Sequence, residues 1–506
     1  MTGNGIMGTF DLIFAGLPTF YSFYSIFLVI AGSVLGIVFG AIPGLTATMG
    51  MAIFLPMTFA MSDINGMLFL IGIFVGACYA GSLSAILVNI PGTPSAIATG
   101  FDGYTMAQKG EAGRAIGYST LSSALGGLFG VLVLMFAAPV LAGLALEFGS
   151  QEYTGVALLG ISIVSYISFG STMKGLIGGI VGLLLAAVGQ DVITAYPRFV
   201  FGSKDLQAGL EMIPVMVGFF GVTEVLTKLE QEKEVRIAVA KIGNVLPSLS
   251  RLARMSPVMA VSSLIGTFVG AIPAAGGAIA SMAAYGIQKR FSKRSREYGT
   301  GIAEGVVAAE SANNAAVGGA FVPMLSLGIP GDPQTAILIG ALMINGLAPG
   351  PMLFATRPDL ISTIYLGNIL AVIVFTVVGL LGARSFAHLI RVPRHFLLPG
   401  IMLFCIIGAY AIRNTLFDVW VLLACGLAGY LLQKIGIMPA PIILGFVLGP
   451  ILEDNFRRSL IMSGGDWTTF LTRPISLALL LINVFILVAP YIMGVFRRVR
   501  GRPPGP

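Results

Sequence analysis

Apolar runs of about 20 residues recur along most of the chain, and this pattern limits the possible folds more than any other feature. A helix of that length matches the hydrocarbon thickness of a bilayer. Only 10% of the residues are charged, whereas soluble domains contain about 25%. The sequence therefore predicts an all-α polytopic membrane protein. It excludes an ordinary soluble enzyme and a protein that binds nucleic acid.

Four shorter apolar segments lie between the long runs, and each begins at a break that contains Pro–Gly or Pro–Ala–Ala–Gly. Because such breaks end helices, we expect broken helices or re-entrant hairpins beside about 11 to 13 membrane spans. The expected spans are residues 20–41, 66–90, 115–146, 153–170, 173–190, 210–228, 258–272, 302–329, 358–384, 396–412, 417–434, 438–452 and 475–496. The short segments are residues 45–61, 93–106, 275–290 and 333–348.

Basic clusters indicate which ends of the spans face the cytoplasm, because cytoplasmic loops are enriched in Lys and Arg. Counting crossings between the clusters places the N-terminus outside the cytoplasm and the C-terminus inside it. Arg198 and Lys204 fall on the outer side in this assignment and disagree with the rule. The clusters lie at residues 228–254, 289–296, 384–394 and 497–502.

Two motifs occur twice in the chain, in the same order. Residues 36–43 match residues 266–273 with an offset of 230, and residues 90–94 match residues 329–333 with an offset of 239. The expected spans give the two copies opposite orientations in the membrane. Inverted repeats with broken helices are typical of secondary transporters, whose binding sites lie near the bilayer midplane.

The repeats predict how the chain is organised. We expect a first inverted repeat at 1–230, a cytoplasmic linker at 231–254, a second inverted repeat at 255–460, and a terminal span with a basic cytoplasmic tail at 461–506. The broken-helix motifs would be residues 41–48 and 89–96 in the first repeat, and 271–277 and 328–335 in the second.

The breaks are candidate binding sites. Thr93 and Asp332 each precede a proline, which is typical of a helix start. Helix N-termini attract anions, and exposed carbonyls at helix ends attract Na⁺. The alternative is that each break merely ends a helix and that Asp332 is only an N-cap. The candidate substrate-binding residues are Pro43, Gly44, Thr46, Thr48, Asn89, Pro91, Gly92, Thr93, Ser95, Ala274, Gly276, Gly277, Asn313, Asn314, Pro330, Gly331, Asp332, Gln334 and Thr335.

A polar stretch at the start of one expected span provides candidates for ion coupling. Ionisable residues inside a membrane are functional candidates, so Glu310, Ser311 and Asp332 are the proposed coupling residues. The alternative for Glu310 is a position at the headgroup level. A Na⁺ site is expected near Asn89, Gly92, Gly331 and Asp332. No cofactor motif occurs in the sequence and no nucleophile is paired with a base, so we expect neither a cofactor nor an enzyme.

These motifs resemble those of a known family. The matching runs are AIPGLT at 41–46, NIPGTPSA at 89–96, AESANNA at 309–315, GIPGDP at 328–333 and GLAPGP at 346–351. The chain resembles the large membrane subunit of the tripartite tricarboxylate transporters, the TctA family, over essentially its whole length. The short runs at residues 102–104 and 109–110 belong to the same likeness.

The resemblance implies a subunit of an importer in the bacterial inner membrane. Its partners would be a small membrane subunit, similar to TctB, and a periplasmic solute-binding protein, similar to TctC. The solute would be a dicarboxylate or tricarboxylate such as citrate, and uptake would be coupled to Na⁺ or H⁺. The N-terminus would then be periplasmic. The alternative function is an anion channel whose pore is formed by the re-entrant segments.

Overall fold

The protein is described here by a computed structural model that covers residues 9–167, 171–191, 193–230, 242–273, 275–389 and 394–499. Helices dominate this part of the chain, as expected for an all-α membrane protein. The first seven helices are α1 (Thr9–Ala15), α2 (Leu17–Phe20), α3 (Phe23–Ala41), α4 (Ala47–Thr58), α5 (Asp63–Val88), α6 (Ile97–Gln108) and α7 (Ala112–Ala145). A 3-10 turn at Pro94–Ala96 leads directly into α6.

A region with a small hairpin follows. It contains α8 (Ser150–Ile167), α9 (Thr172–Ala186), the antiparallel strands β1 (Gly189–Gln190) and β2 (Pro197–Arg198), α10 (Lys204–Gln207), α11 (Met212–Val217) and α12 (Thr223–Glu230). A π-helical turn at Gly218–Val222 joins α11 to α12, so the expected span at 210–228 is one interrupted helix.

The remaining helices begin beyond residue 248. They are α13 (Leu249–Arg254), α14 (Ser256–Gly270), α15 (Gly276–Phe291), α16 (Ala303–Leu327), α17 (Pro333–Ile344), α18 (Met352–Thr356), α19 (Pro358–Leu381), α20 (Ala383–Leu389), α21 (Arg394–Arg413), α22 (Leu416–Lys434), α23 (Pro439–Met462), α24 (Thr469–Thr472) and α25 (Pro474–Val499). The four short segments expected after the breaks are therefore confirmed as α4, α6 with its 3-10 turn, α15 and α17.

Six helical segments in the described part of the chain are long and apolar enough to cross a membrane. They are Phe23–Ala41, Asp63–Val88, Ala112–Ala145, Met212–Glu230, Pro358–Leu381 and Leu416–Lys434. These segments agree with a polytopic membrane protein, whereas the larger number of 11 to 13 spans stays a prediction. Helix α16 is long enough to cross, but its polar residues near Glu310 make it less apolar than these six.

The described helices form two compact units. One comprises Met1–Leu146 and Met212–Leu427, and the other comprises Glu147–Glu211 and Ala428–Pro506. All four breaks lie in the first unit. In the second unit, α23 packs on α8 and α9, and α25 packs on α8.

An ion-pair network in the second unit lies where the structure departs from two expectations. Arg198 forms a bidentate pair with Glu453, at 2.6 and 3.2 Å, and Arg457 pairs with Asp191. The backbone N–H of Thr194 and the Arg457 guanidinium hold the pKa of Asp191 below its usual value. Helix α23 continues to Met462 instead of ending near residue 452, and Glu453 and Arg457 of this network lie on its additional turns. Arg198, which disagreed with the charge rule, is thus part of a paired network.

The close contacts between helices in the first unit occur at equivalent positions in the two halves. A Cβ added to Gly36 would lie less than 3.0 Å from Ile73, and one added to Gly266 would lie equally close to Ala312. These positions are 230 residues apart on α3 and α14, and 239 apart on α5 and α16. The offsets equal those of the two sequence motifs. The relative direction of the two halves across the membrane stays a prediction.

The two halves also exchange contacts. Helix α7 of the first half packs on α16 of the second, and α19 of the second half packs on α5 of the first. Helices α5 and α16 are therefore each enclosed by helices from both halves. This enclosure explains why almost every residue of the two helices is buried, including the polar ones.

The glycine contacts predict a selective loss of stability in Gly266→Ala. The new Cβ would overlap the Ala312 carbonyl oxygen, and overpacking of this kind costs about 1–3 kcal/mol. Gly286→Ala in α15 is the matched control, because a Cβ there meets nothing within 4 Å. Thermal unfolding of the purified protein should show a lower midpoint for Gly266→Ala alone. Equal midpoints in the two variants would contradict the close approach of α14 and α16.

Candidate functional site

Each of the two central helices ends in a left-handed residue, and the chain then turns back. Asn89 closes α5 with φ 55°, and Gly328 closes α16 with φ 72°, at positions 239 residues apart. After Asn89, the N–H of Gly92 donates to the carbonyl of Gly81, in the middle of α5, at 3.1 Å. After Gly328, Gly331 packs directly on Ala320 of α16. Both breaks therefore fold back onto the helix that precedes them.

The four short helices pair crosswise between the halves. Helix α4 packs on α17, and α15 packs on α6 and on the 3-10 turn before it. A Cβ added to Gly277 would lie 2.6 Å from Asn313 Oδ1 and 3.2 Å from Ser95 Cβ, and one added to Gly276 would lie 3.6 Å from Asp332 Cβ. The structure thus brings together five of the candidate residues, which come from three of the four breaks and from α16. They are Ser95, Gly276, Gly277, Asn313 and Asp332.

Asp332 is the N-cap of α17, as its position before Pro333 indicates. Its Oδ1 accepts hydrogen bonds from the backbone N–H and the hydroxyl of Thr335, both at 2.8 Å. The Thr335 hydroxyl also accepts from the Asp332 N–H at 2.9 Å. Asp332 is 6% exposed and forms no ion pair with any residue that the structure describes. Its charge is therefore stabilised only by hydrogen bonds and by the start of α17.

The break at residues 41–48 lies beside the ammonium group of Lys228, a contact that the sequence did not indicate. The side chain of Lys228 lies over Gly44, with Cε 3.3 Å from the position of an added Cβ. Lys228 Nζ pairs with Glu224 at 3.4 Å. Thr46 begins α4 by accepting the N–H of Met49 at 3.1 Å. This break therefore combines a capped helix start with a neighbouring ammonium group.

The other candidate residues have less specific surroundings. Asn89 is exposed, Gly92, Thr93 and Pro330 are buried, and Thr48, Pro91 and Gln334 are half-buried. Thr93 Oγ1 shares a hydrogen bond of 3.0 Å with Ser95 Oγ. Ala274 lies outside the described residues.

Glu310 is completely buried among hydroxyl and amide groups. Its Oε1 accepts from Thr99 of α6, and its Oε2 accepts from Ser123 of α7 at 2.9 Å and from Asn314 at 3.4 Å. Among the described residues no cation pairs with it. A buried carboxylate without a cationic partner is costly unless it is protonated or joined by a cation. Glu310 is therefore enclosed by the protein, and its depth in the membrane stays a prediction.

Helix α5 corresponds to α16 in the other half, and it packs in the same way without polar side chains at the four equivalent positions. With the offset of 239, Glu310, Ser311, Asn313 and Asn314 correspond to Ile71, Gly72, Phe74 and Val75 of α5. Both helices are almost entirely buried. Because the fold accommodates an apolar face at these positions, the polar set on α16 is not required for packing. The hydroxyl of Ser311 and the Oδ1 atoms of Asn313 and Asn314 are buried with no hydrogen-bond partner in the described structure.

Sequence reasoning missed a buried link between the two halves. Asp102 of α6 is fully buried, and its Oδ1 accepts the N–H groups of Gly299, Gly301 and Ile302 at 2.8 to 2.9 Å. Its Oδ2 accepts the hydroxyl of Tyr285 of α15 at 2.9 Å. Asp102 and Thr99 are three residues apart on α6, so both lie on one helix face. An Asp–Gly pair gives no local sign of partners 199 and 200 residues later in the chain, which is why this role was not expected.

Fold and site together define a class: a polytopic α-helical membrane protein in which broken helices from two similar halves surround buried, uncompensated carboxylates. The model of the tripartite tricarboxylate transporter TctA family matches residues 26–444. The chain belongs to this family of transporter subunits, and the resemblance seen in the sequence is confirmed.

Relatives come from Agrobacterium vitis. An uncharacterized 52.8 kDa protein from the TAR-I ttuC′ 3′ region is 39% identical to this chain over 462 residues. The match covers 90% of this chain and 91% of that protein. An uncharacterized protein from the TAR-II ttuC′ 3′ region is 41% identical to this chain over 235 residues. This match covers 45% of this chain and 95% of that protein. No solved structure matches the chain significantly.

The Asp102 link predicts a large effect of Asp102→Ala on stability. The substitution removes the acceptor of three N–H groups and one hydroxyl, and each buried group left without a partner costs about 1–3 kcal/mol. Tyr285→Phe removes one of these bonds and should cost less. Asp205→Ala, at an exposed position in α10, is the control. Thermal unfolding should rank the midpoints as control, Tyr285→Phe and Asp102→Ala, from high to low. An Asp102→Ala midpoint equal to the control would contradict the link.

Proposed function

We propose that this chain is the large membrane subunit of an ion-coupled tripartite transporter that imports dicarboxylates or tricarboxylates. The observation that carries the proposal is the polar set on α16, which stands where the equivalent helix α5 is apolar. Asn313 of this set lies beside Gly277 at the third break, where helix starts and backbone turns offer N–H groups and carbonyls. Transport of a charged solute with an ion needs such groups inside the membrane.

Transport by alternating access is supported by the relation between the halves. The close glycine contacts occur at equivalent positions in the two halves, and α7 and α19 each pack on a central helix of the other half. Both features fit two copies related by a two-fold axis. The basic clusters in the sequence favour an axis in the membrane plane, and hence inverted repeats. Such repeats allow one set of helices to expose a midplane site to either side in turn. A channel would not require this relation.

The solute would be bound through its carboxylates at the breaks. The N-terminus of α17 with its Asp332 cap, the turn at Ser95 and the start of α15 lie close together. Backbone N–H groups at helix starts bind carboxylates without a buried arginine. Lys228, which pairs with Glu224, places an ammonium group beside Gly44 at the first break. Citrate is one solute with this chemistry.

The coupling ion would be Na⁺ or H⁺ and would be bound by acidic groups of the same region. Glu310, Ser311 and Asp332 are the proposed coupling residues, because both carboxylates are buried without a cationic partner among the described residues. A cation that arrives with the solute would offset the repulsion between these carboxylates and an anionic solute.

The family also suggests the protein's surroundings. We propose that the chain lies in the bacterial inner membrane, with a periplasmic N-terminus and a cytoplasmic C-terminus. A small membrane subunit and a periplasmic solute-binding protein would complete the transporter. Proteoliposomes with both membrane subunits, supplied with the binding protein and labelled carboxylates, test this proposal. Uptake should require both the binding protein and an ion gradient. Flux that needs neither would favour the anion channel.

Asp332→Asn tests the charge of the N-cap separately from its capping role. Asparagine caps helices as well as aspartate does, so the folded protein should keep its thermal midpoint. We expect uptake to fall at least about tenfold, corresponding to a lost interaction of about 1.4 kcal/mol. The matched control is Asp466→Asn, since Asp466 also accepts the N–H and the hydroxyl of one threonine, Thr468, but at an exposed site. Wild-type uptake in Asp332→Asn would leave this residue with a capping role only.

Glu310→Gln tests the second carboxylate. Glutamine has a similar shape and leaves no unpaired cation behind, because Glu310 forms no ion pair with the described residues. The variant should fold normally and bind solute, but uptake driven by the ion gradient should fall at least about tenfold. Uptake by gradient and solute counterflow are measured in the same proteoliposomes. Gradient-driven uptake at the wild-type rate would exclude Glu310 from coupling.

A further inference from the structure

Two hydroxyl groups from the first half of the chain bind a carboxylate from the second half. Thr99 of α6 donates to Glu310 Oε1, and Ser123 of α7 donates to Glu310 Oε2 at 2.9 Å. All three residues are fully buried. The carboxylate of one half is therefore held from two sides by helices of the other half.

The two hydroxyl groups differ from those of their neighbours. Serine and threonine in a helix commonly donate to the carbonyl four residues earlier. Ser122 on α7 donates in this way at 2.7 Å, and Thr105 on α6 does so at 3.0 Å. Thr99 and Ser123 donate to Glu310 instead. Their hydrogen bonds therefore serve the carboxylate and not the backbone of their own helices.

The equivalent pair of positions in the other arrangement of the halves is apolar. With the offset of 239, Glu310 corresponds to Ile71 of α5 and Thr99 corresponds to Leu338 of α17. Both apolar residues are fully buried, and α17 packs on α5 as α6 packs on α16. The fold therefore accommodates an apolar pair at these positions. The hydroxyl group of Thr99 is present where the carboxylate is present, which favours a common function for the two polar residues.

Hydroxyl groups suit a carboxylate whose charge changes. A hydroxyl has one hydrogen to donate and two lone pairs that accept. Toward an ionised carboxylate it donates a strong, charge-assisted hydrogen bond. When a proton or a hard cation joins the carboxylate, the hydroxyl can rotate and offer a lone pair in a weaker contact. Thr99 and Ser123 can therefore remain partners of Glu310 in both states.

The helices around α16 bring no cation to Glu310 in the described part of the chain. Helices α5, α6, α7, α14, α15 and α17 pack on α16, and their cations are exposed near helix ends, namely Arg114, Lys289 and Arg290. The buried titratable residues of these helices and of the α17 cap are neutral or acidic, namely Cys78, Tyr79, Asp102, Tyr118, Tyr285 and Asp332. The charge of Glu310 therefore depends on hydrogen-bond donors.

We propose that Thr99 and Ser123 are positioning residues for ion coupling, which hold Glu310 while it is charged and stay in contact when the ion binds. This inference rests on the proposed function, because it requires that Glu310 takes up the coupling ion. It adds that two hydroxyl groups on α6 and α7 set the affinity for this ion. The half that lacks the carboxylate thereby controls it.

The ion dependence of uptake tests this inference in proteoliposomes with both membrane subunits and the binding protein. Thr99→Val keeps the shape of the side chain but removes the hydroxyl. Na⁺ is titrated at constant pH, and H⁺ at constant Na⁺. The ion concentration for half-maximal uptake should change at least about tenfold. For Na⁺ it should rise, because an oxygen ligand is lost, and for H⁺ it should fall, because the charged form loses a donor. Solute counterflow at saturating ion should persist, and Thr99→Ser should restore the wild-type ion dependence.

Matched controls separate this role from a structural one. Thr105→Val on α6 and Ser122→Ala on α7 remove hydroxyl groups that donate only within their own helices, so their ion dependence should equal that of the wild type. Ser123→Ala removes a single oxygen atom and should shift the ion dependence as Thr99→Val does, which keeps the test decisive if valine impairs folding. Wild-type ion dependence in folded Ser123→Ala and Thr99→Val, or an equal shift in the controls, would overturn the inference alone. Wild-type uptake that needs no ion would overturn the proposed function itself.

Discussion

Close backbone contact between glycines and carbonyl groups determines how the first unit is assembled. The glycines at positions 32, 36 and 40 bring α3 against α5, and those at 266 and 270 bring α14 against α16. Inside a membrane the hydrophobic effect does not drive helices together, so close packing of small residues supplies much of the attraction. This packing buries almost every residue of α5 and α16. Every polar group on α16 therefore lies in an environment where it must find a partner.

The breaks and short helices could be predicted because proline, glycine and capping residues act locally. The Pro–Gly and Pro–Ala–Ala–Gly turns at the four breaks follow the ends of helices, and Asp332 caps α17 through its own Thr335. Contacts between distant residues could not be predicted in this way. Nothing in the local sequence indicates that Lys228 lies over Gly44 or that Asp102 binds the loop before α16. Glu453, on the additional turns of α23, pairs with Arg198, which is 255 residues earlier in the chain.

The comparison of equivalent helices separates function from folding in a single chain. Helices α5 and α16 have the same register and the same kinds of neighbours, yet only α16 contains a carboxylate and two asparagines in its centre. Sequence reasoning selected these residues because ionisable groups are rare in membranes. It did not distinguish Asn313 from Asn314, since their different directions depend on the helices that surround them.

Asp102 ties α6 to the start of α16, while Thr99 ties α6 to Glu310 of the same helix. These bonds share one helix face, so a displacement of α6 along α16 would break them together. Such a displacement is therefore all-or-none, and intermediate positions carry the cost of several unpaired groups at once. A proton or cation that weakens the Thr99 contact changes the free energy needed to release α6 as a whole.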